Sequence, residues 1–128
     1  MSVRIGVLVA VVGAVGSVLR WLLSNLLQRP LGGAFPLGTL VVNILGAFAI
    51  GLVMAVFAAR GSLEAPARIA LTSGLLGGFT TFSAFAWETW ELVEGRTPGR
   101  AALYVGLTLV VGVAACVAGL TLGRAVAR

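Results

Sequence analysis

Four long apolar runs, separated by short charged or turn-forming segments, constrain the fold of this chain more than any other feature of its sequence. A helix needs about 20 mostly apolar residues to cross the hydrocarbon core of a bilayer. The runs meet that length, and they cover residues 5–27, 37–59, 67–93 and 101–122. The sequence therefore predicts an all-α integral membrane protein with four transmembrane helices. We expect residues 1–128 to form one four-helix domain in the lipid bilayer of the cell (inner or plasma) membrane.

Composition narrows the classes of function. Hydrophobic residues make up 59% of the chain and charged residues only 10%, whereas soluble domains are about 45–50% apolar. The net charge of +5 comes from nine arginines that are scattered singly. Because nucleic-acid binding needs a basic stripe or patch, we expect no nucleic-acid partner. The chain has neither His nor Asp, which excludes a His relay and a Ser-His-Asp triad, so we predict no enzyme activity.

The distribution of arginines bears on orientation in the membrane. Four spans place both termini and the second loop on one side, and an excess of Lys and Arg normally marks the cytoplasmic side. One side collects Arg4, Arg60, Arg68, Arg124 and Arg128, while the other has Arg29, Arg96 and Arg100, with Arg20 as a further candidate. So small a bias predicts insertion in both orientations. Two oppositely oriented copies could then pair about a two-fold axis in the membrane plane, as inverted repeats do.

The third run contains helix breakers and hydroxyl groups near its centre, in the segment GGFTTFSAFAWET, residues 77–89. Non-helical backbone at that depth is tolerated only where protein or a water-filled cavity covers it. Broken helices commonly expose carbonyls that coordinate a cation, or half-helix N-termini that face an anion. We therefore predict that the third helix is broken at mid-membrane and makes ion contacts at the break.

Asn43 is a polar residue inside the second run, and Thr39 lies one turn earlier on the same face. One interpretation is an interhelical hydrogen bond, because an amide in hydrocarbon must find partners. The other is that its NH₂ group donates to an anion that passes through the protein, since an amide offers two donors without a positive charge. The sequence leaves both interpretations open.

Three phenylalanines follow the predicted break at every third position, namely Phe79, Phe82 and Phe85. Such a stripe is usually a packing seam. Here Thr81 and Ser83 lie on the same short helix, so that rings and hydroxyls would alternate around it. Ring edges carry the positive part of the aromatic quadrupole, and edges could therefore face an anion that a full positive charge would trap.

Two ionisable residues fall within the predicted spans. Arg20 lies about seven residues before the end of the first run, roughly 10 Å deep at 1.5 Å per residue. It either snorkels to the interface or lines an aqueous vestibule that concentrates anions. Glu88 lies either near the interface, where it costs little, or in a polar pathway. The sequence does not decide between these alternatives.

Two segments, GTLVVNILGAFAIGL (38–52) and GLLGGFTTFSAFAWET (74–89), strongly resemble the Fluc fluoride channels, also called CrcB. The four-span layout and the length agree with this family over essentially the whole chain. The resemblance implies a passive, fluoride-selective channel that exports cytoplasmic fluoride, built as an antiparallel, dual-topology homodimer with two pores. It also implies a central structural Na⁺ held by the backbone carbonyls of Gly77 and Thr80.

The resemblance assigns roles to individual side chains. Asn43 becomes the pore amide, Phe82 and Phe85 become a ladder of ring edges, and Arg20 matches an arginine near the pore mouth. Gly112 departs from the family pattern, because the fourth helix can carry a serine there. The polar residues assigned to the fluoride path are Thr39, Thr81, Ser83, Tyr104 and Thr108.

This assignment agrees with the chemistry of the residues, since a fluoride pore must replace tightly held water at several sites without binding the ion too firmly. The membrane potential then suffices to drive the anion out. Two other classes remain open. A small multidrug-resistance-like, proton-coupled exporter would need a membrane-embedded carboxylate early in the chain, and Glu88 is the only candidate. A non-transporting scaffold would explain the glycines but not the polar and aromatic cluster.

Overall fold

A computed structural model describes residues 2–28, 35–60 and 65–127 of the protein. All regular structure in these ranges is helical. The elements are α1 (Val3–Gln28), α2 (Leu37–Arg60), α3 (Ala65–Ile69), a π-helical segment (Ala70–Leu76), α4 (Gly77–Phe79), α5 (Phe82–Glu94) and α6 (Pro98–Val126). Arg29 and Arg128, which the predicted arginine balance includes, lie outside the described residues.

Among the described residues, four helical stretches are long and apolar enough to cross a membrane, namely Val3–Gln28, Leu37–Ala59, Pro66–Glu94 and Pro98–Val126. This confirms the prediction of an all-α protein with four membrane-spanning helices. The observed helices extend slightly beyond the predicted apolar runs because helical geometry continues into the flanking residues. For example, α6 begins at Pro98, just after its N-cap Thr97, where the missing proline N–H costs no intrahelical hydrogen bond.

The most extensive contact between helices joins α2 and α6. A Cβ atom at Gly119 would collide with the carbonyl oxygen of Phe48, and one at Gly51 would collide with a backbone carbonyl of α6. The two backbones therefore touch where side chains are absent, as small residues allow in membranes. Gly106 and Gly112 differ, because a Cβ there would have nothing within 4 Å. Neither glycine therefore makes a close packing contact with the described residues of its own protomer.

Helix α1 packs on the first part of the third span, along the π-helical segment and α4. A Cβ at Gly16 would collide with the carbonyl oxygen of Leu75, and one at Gly78 would collide with that of Gly13. Backbone therefore lies directly on backbone at this contact. As a result, polar side chains of α1 can reach the main chain of α4.

A small core lies where α2, α5 and α6 meet. Leu40, Phe85 and Tyr104 are buried there, and the ring centroids of Phe85 and Tyr104 are 5.3 Å apart. The ring of Phe35 meets Tyr104 edge-on, with centroids 5.6 Å apart. This core fixes α5, and with it the residues that follow the change of backbone geometry in the third span.

Candidate functional site

The backbone of the third span departs from α-helical geometry in two places. The N–H of Gly77 donates to the carbonyl of Thr72, the five-residue step of a π-helix. Thr80 and Thr81 are then extended, with φ −87° and ψ 160° at Thr80 and φ −151° and ψ 117° at Thr81. Thr81 serves as the N-cap of α5, because its hydroxyl oxygen accepts the N–H of Ala84 at 3.2 Å.

This geometry diverts two hydrogen-bond donors. In a continuous α-helix, the N–H of Thr81 would donate to the carbonyl of Gly77, and that of Ala84 to the carbonyl of Thr80. Here Thr81 donates to Oδ1 of Asn43 at 2.9 Å, and Ala84 donates to the Thr81 hydroxyl. The carbonyls of Gly77 and Thr80 thus lose their regular helical partners, and oxygen atoms of this kind are the ligands that hard cations take. Among the described residues, no cluster of three or more His, Cys, Asp or Glu could hold a metal.

The side-chain amide of Asn43 forms hydrogen bonds with both main-chain groups of Thr81. Its Oδ1 accepts the N–H of Thr81 at 2.9 Å, and its Nδ2 donates to the carbonyl of Thr81 at 3.0 Å. The amide thereby replaces the partner that a neighbouring strand would supply. The interhelical hydrogen bond, one of the two interpretations that the sequence left open, is therefore present. The second hydrogen of the amide NH₂ takes no part in this pair and is free to donate to a ligand.

Arg20 reaches the main chain just before the extended residues. Its Nε donates to the carbonyl of Gly78 at 3.2 Å, and the Ser17 hydroxyl lies 3.5 Å from the same oxygen. Ser17 was not singled out from the sequence, although its position three residues before Arg20 places both side chains on one helix face. Arg20 also lines a cavity of about 280 Å³ together with Thr39 and Thr81.

Most of the residues assigned to the fluoride path line one cleft. It has a volume of about 240 Å³, and its lining residues are Asn43, Thr80, Thr81, Phe82, Phe85, Thr108 and Leu109. The rings of Phe82 and Phe85 are neighbours, with centroids 5.7 Å apart. They differ in environment, because Phe85 belongs to the core while Phe82 is 78% exposed on the protomer. The ring of Phe82 therefore lies on the outer surface of the protomer.

Glu88 joins α2 to α6. Its Oε1 accepts the Thr39 hydroxyl at 2.6 Å, and its Oε2 accepts the Tyr104 hydroxyl at 2.6 Å. Thr39 and Tyr104 are both buried, and Glu88 lines a second, polar cleft of about 570 Å³ together with Glu91. Two short hydrogen bonds to buried hydroxyls thus hold the Glu88 carboxylate between α2 and α6.

The remaining predicted residues have simpler surroundings. Thr108 donates to the carbonyl of Tyr104 at 2.8 Å, within its own helix. The hydroxyl oxygens of Ser83 and Thr81 are 3.2 Å apart, and Ser83 is exposed. Ser83 therefore adjoins the 240 Å³ cleft through Thr81 but does not line it. At Gly112 the fourth helix contributes no side chain to the path.

The helical spans and the polar groups gathered around the extended residues define a multi-pass membrane protein with a candidate path for a small ion. Comparison with known proteins identifies its family. The family described as "CrcB-like protein, Camphor Resistance (CrcB)" matches residues 7–120, and the chain belongs to this family. It is a transport protein and not an enzyme.

Named relatives cover nearly the whole chain. A protein of Agrobacterium fabrum named "Fluoride-specific ion channel FluC" is 47% identical over 117 residues, which are 91% of this chain and 94% of the relative. A protein of the same name from Thermus thermophilus is 46% identical over 118 residues, or 92% of this chain and 94% of the relative. A third, from Roseiflexus sp., is 44% identical over 120 residues, or 94% of each chain.

Proposed function

We propose that this protein is a passive, fluoride-selective ion channel that exports cytoplasmic fluoride across the membrane. The observation that carries the proposal is its membership of the CrcB family, with relatives that are named fluoride-specific ion channels and align along almost the full chain. The donor chemistry of the 240 Å³ cleft supports it, since that cleft offers an amide, hydroxyls and ring edges and no positive side chain.

The hydroxyls of the proposed path now donate to the protein itself. Those of Thr39 and Tyr104 donate to Glu88, and that of Thr108 donates to a backbone carbonyl. A hydroxyl hydrogen can rotate to a new acceptor, so a passing fluoride would compete with these acceptors for each hydrogen in turn. Such exchange supplies replacement donors at several sites without a deep binding well, as rapid conduction requires.

Two protomers would complete the path as an antiparallel, dual-topology homodimer with two pores. The exposed ring of Phe82 supports this proposal, because a pore wall left open on one protomer needs a second surface to enclose it. The small arginine bias supports insertion in both orientations. In this arrangement the extended residues Thr80 and Thr81 lie at mid-membrane as a break in the third helix.

A structural Na⁺ at the centre of the dimer would fit the carbonyls of Gly77 and Thr80. Both carbonyls have lost their regular helical donors to side-chain partners, and Gly77 is exposed on the protomer. A symmetric dimer whose two-fold axis passes close to these carbonyls would bring two copies of each together. When bound, the ion would hold the two interrupted helices to each other, while fluoride moves along the separate polar path.

A transport measurement tests the proposed function. Purified protein in liposomes is expected to release fluoride once a membrane potential is clamped, to retain chloride, and to need no proton gradient. Protein-free liposomes are the control. Efflux that requires a pH gradient, or movement of a lipophilic cation in place of fluoride, would instead identify a proton-coupled exporter.

The ring-edge contact is tested most clearly at Phe82. Phe82→Ile keeps apolar bulk and removes the positive ring edge, and the side chain is 78% exposed on the protomer, so folding of the protomer should be unaffected. We expect fluoride efflux per dimer to fall about tenfold, which corresponds to about 1.4 kcal/mol in the barrier.

Two further substitutions serve as comparisons for Phe82→Ile. Phe85→Ile should lower both efflux and thermal stability, because Phe85 also packs on Tyr104 in the core. Phe57→Ile, in α2 and away from both clefts, is the matched control and should conduct normally. Wild-type efflux per dimer in Phe82→Ile would show that this ring is only a packing residue.

A further inference from the structure

Three atoms meet at the last turn before the extended residues. The carbonyl of Gly78 would accept the N–H of Phe82 in a continuous α-helix, but the extended backbone of Thr80 and Thr81 ends that ladder. The oxygen instead lies 3.2 Å from Nε of Arg20 and 3.5 Å from the Ser17 hydroxyl. A basic side chain that donates to the last carbonyls of a helix is a favourable C-terminal partner.

Three main-chain groups at the change in backbone geometry are thus held by side chains of two different helices. Arg20 of α1 holds the carbonyl of Gly78, and Asn43 of α2 holds the N–H and the carbonyl of Thr81. Close packing supports the α1 contact, since the backbone of Gly78 lies against Gly13. The Nε bond is the one hydrogen bond of Arg20 to the part of the chain that the structure describes.

We propose that Arg20 is a positioning residue, whose Nε fixes the end of α4 and thereby the carbonyls of Gly77 and Thr80, and that its charge is secondary to this bond. The proposal rests on the proposed channel function for its effect on transport. It differs from a vestibule role, in which the positive charge alone would matter. A hydrogen bond to a backbone carbonyl has a directional geometry, whereas a charge acting at a distance does not.

Two substitutions separate the bond from the charge. In Arg20→Gln, the side-chain Nε2 occupies the same place along the side chain as Nε of arginine, so the donor is kept and the charge is lost. In Arg20→Lys, the charge is kept, but a methylene occupies that place and the ammonium lies one bond further on. Arg20→Met removes both the donor and the charge and is the reference for full loss.

Whether the Gly78 carbonyl accepts this hydrogen bond can be observed directly by NMR. Gly78-Phe79 is the only Gly-Phe dipeptide in the sequence, so labelling glycine with ¹³C at the carbonyl and phenylalanine with ¹⁵N gives one backbone correlation. A hydrogen bond deshields the carbonyl carbon. We expect Arg20→Gln to keep the wild-type Gly78 carbonyl shift, and Arg20→Lys and Arg20→Met to move it upfield.

Fluoride efflux per dimer is measured on the same proteins. We expect Arg20→Gln to conduct close to wild type, and Arg20→Lys and Arg20→Met to lose about tenfold, the effect of one hydrogen bond. Full efflux in Arg20→Lys with loss in Arg20→Gln would overturn the proposal in favour of the charge. Loss of the Gly78 shift or of efflux in Arg20→Gln, or no loss in Arg20→Lys and Arg20→Met, would also overturn it. If wild-type protein carries no fluoride, the channel function fails, while the carbonyl shift still tests the position of Arg20.

Discussion

Asn43→Asp should abolish fluoride efflux. The carboxylate can still accept the N–H of Thr81, but it has no hydrogen to donate to the Thr81 carbonyl, which the amide of Asn43 binds at 3.0 Å. It would also place a negative charge on the proposed anion path. A fluoride ion about 4 Å from this carboxylate would be repelled by about 4 kcal/mol at an effective dielectric constant of about 20, and each 1.4 kcal/mol in the barrier is about tenfold in rate. We therefore expect efflux per dimer to fall at least about a hundredfold.

Two companion variants separate the causes. Asn43→Leu removes the amide without adding charge, so it should lower thermal stability through the unpaired Thr81 backbone, a loss of about 1–3 kcal/mol. Asn25→Asp makes the same change at an exposed residue whose amide donates to the carbonyl of Trp21 in its own helix; Asn25 lines the 280 Å³ cavity but not the 240 Å³ cleft. It should lose far less efflux than Asn43→Asp. Equal efflux in Asn43→Asp and wild type would remove Asn43 from the path.

Gly77→Leu should separate the proposed dimer and its Na⁺ site from the folding of the protomer. A Cβ at Gly77 would meet only the carbonyl oxygen of Thr72, at an ordinary 3.6 Å, so the protomer can accept a side chain there. Overpacking a contact costs about 1–3 kcal/mol, and a symmetric dimer carries the change twice. We expect the dissociation constant of the dimer to rise at least about tenfold, with loss of efflux and of any stabilisation by Na⁺.

The measurements for Gly77→Leu are gel filtration and thermal unfolding in Na⁺ and in a large organic cation. Gly6→Leu, where a Cβ has nothing within 4 Å, is the matched control and should remain dimeric and active. Gly78→Ala should instead destabilise the protomer itself, because its Cβ would collide with the backbone of Gly13. Thr80→Ser should be mild, since serine keeps the hydroxyl that donates to Leu76. An intact, Na⁺-stabilised dimer of Gly77→Leu would argue against a cation at this position.

Local sequence was sufficient to predict the spans, because the bilayer imposes a length and an apolar character that each helix must satisfy by itself. The four predicted runs and the four observed spans therefore differ only at their ends. The π-helical geometry of Ala70–Leu76 had no corresponding signal. It is set by hydrogen-bond spacing along a segment that packs on α1, and an apolar pattern does not distinguish it from an α-helix.

The sequence also determined which residue types carry the candidate site, since amide, hydroxyl, arginine and carboxylate groups are costly inside a membrane and few in number. It did not determine their partners. Asn43 could have bonded a helix or an anion, Glu88 could have remained at the interface, and Arg20 could have snorkelled. The packing of α1, α2 and α6 around the third span supplied the hydrogen-bond partners of these three side chains. The partners of these side chains lie 16 to 58 residues away in the sequence. They come into contact only when the tertiary structure forms.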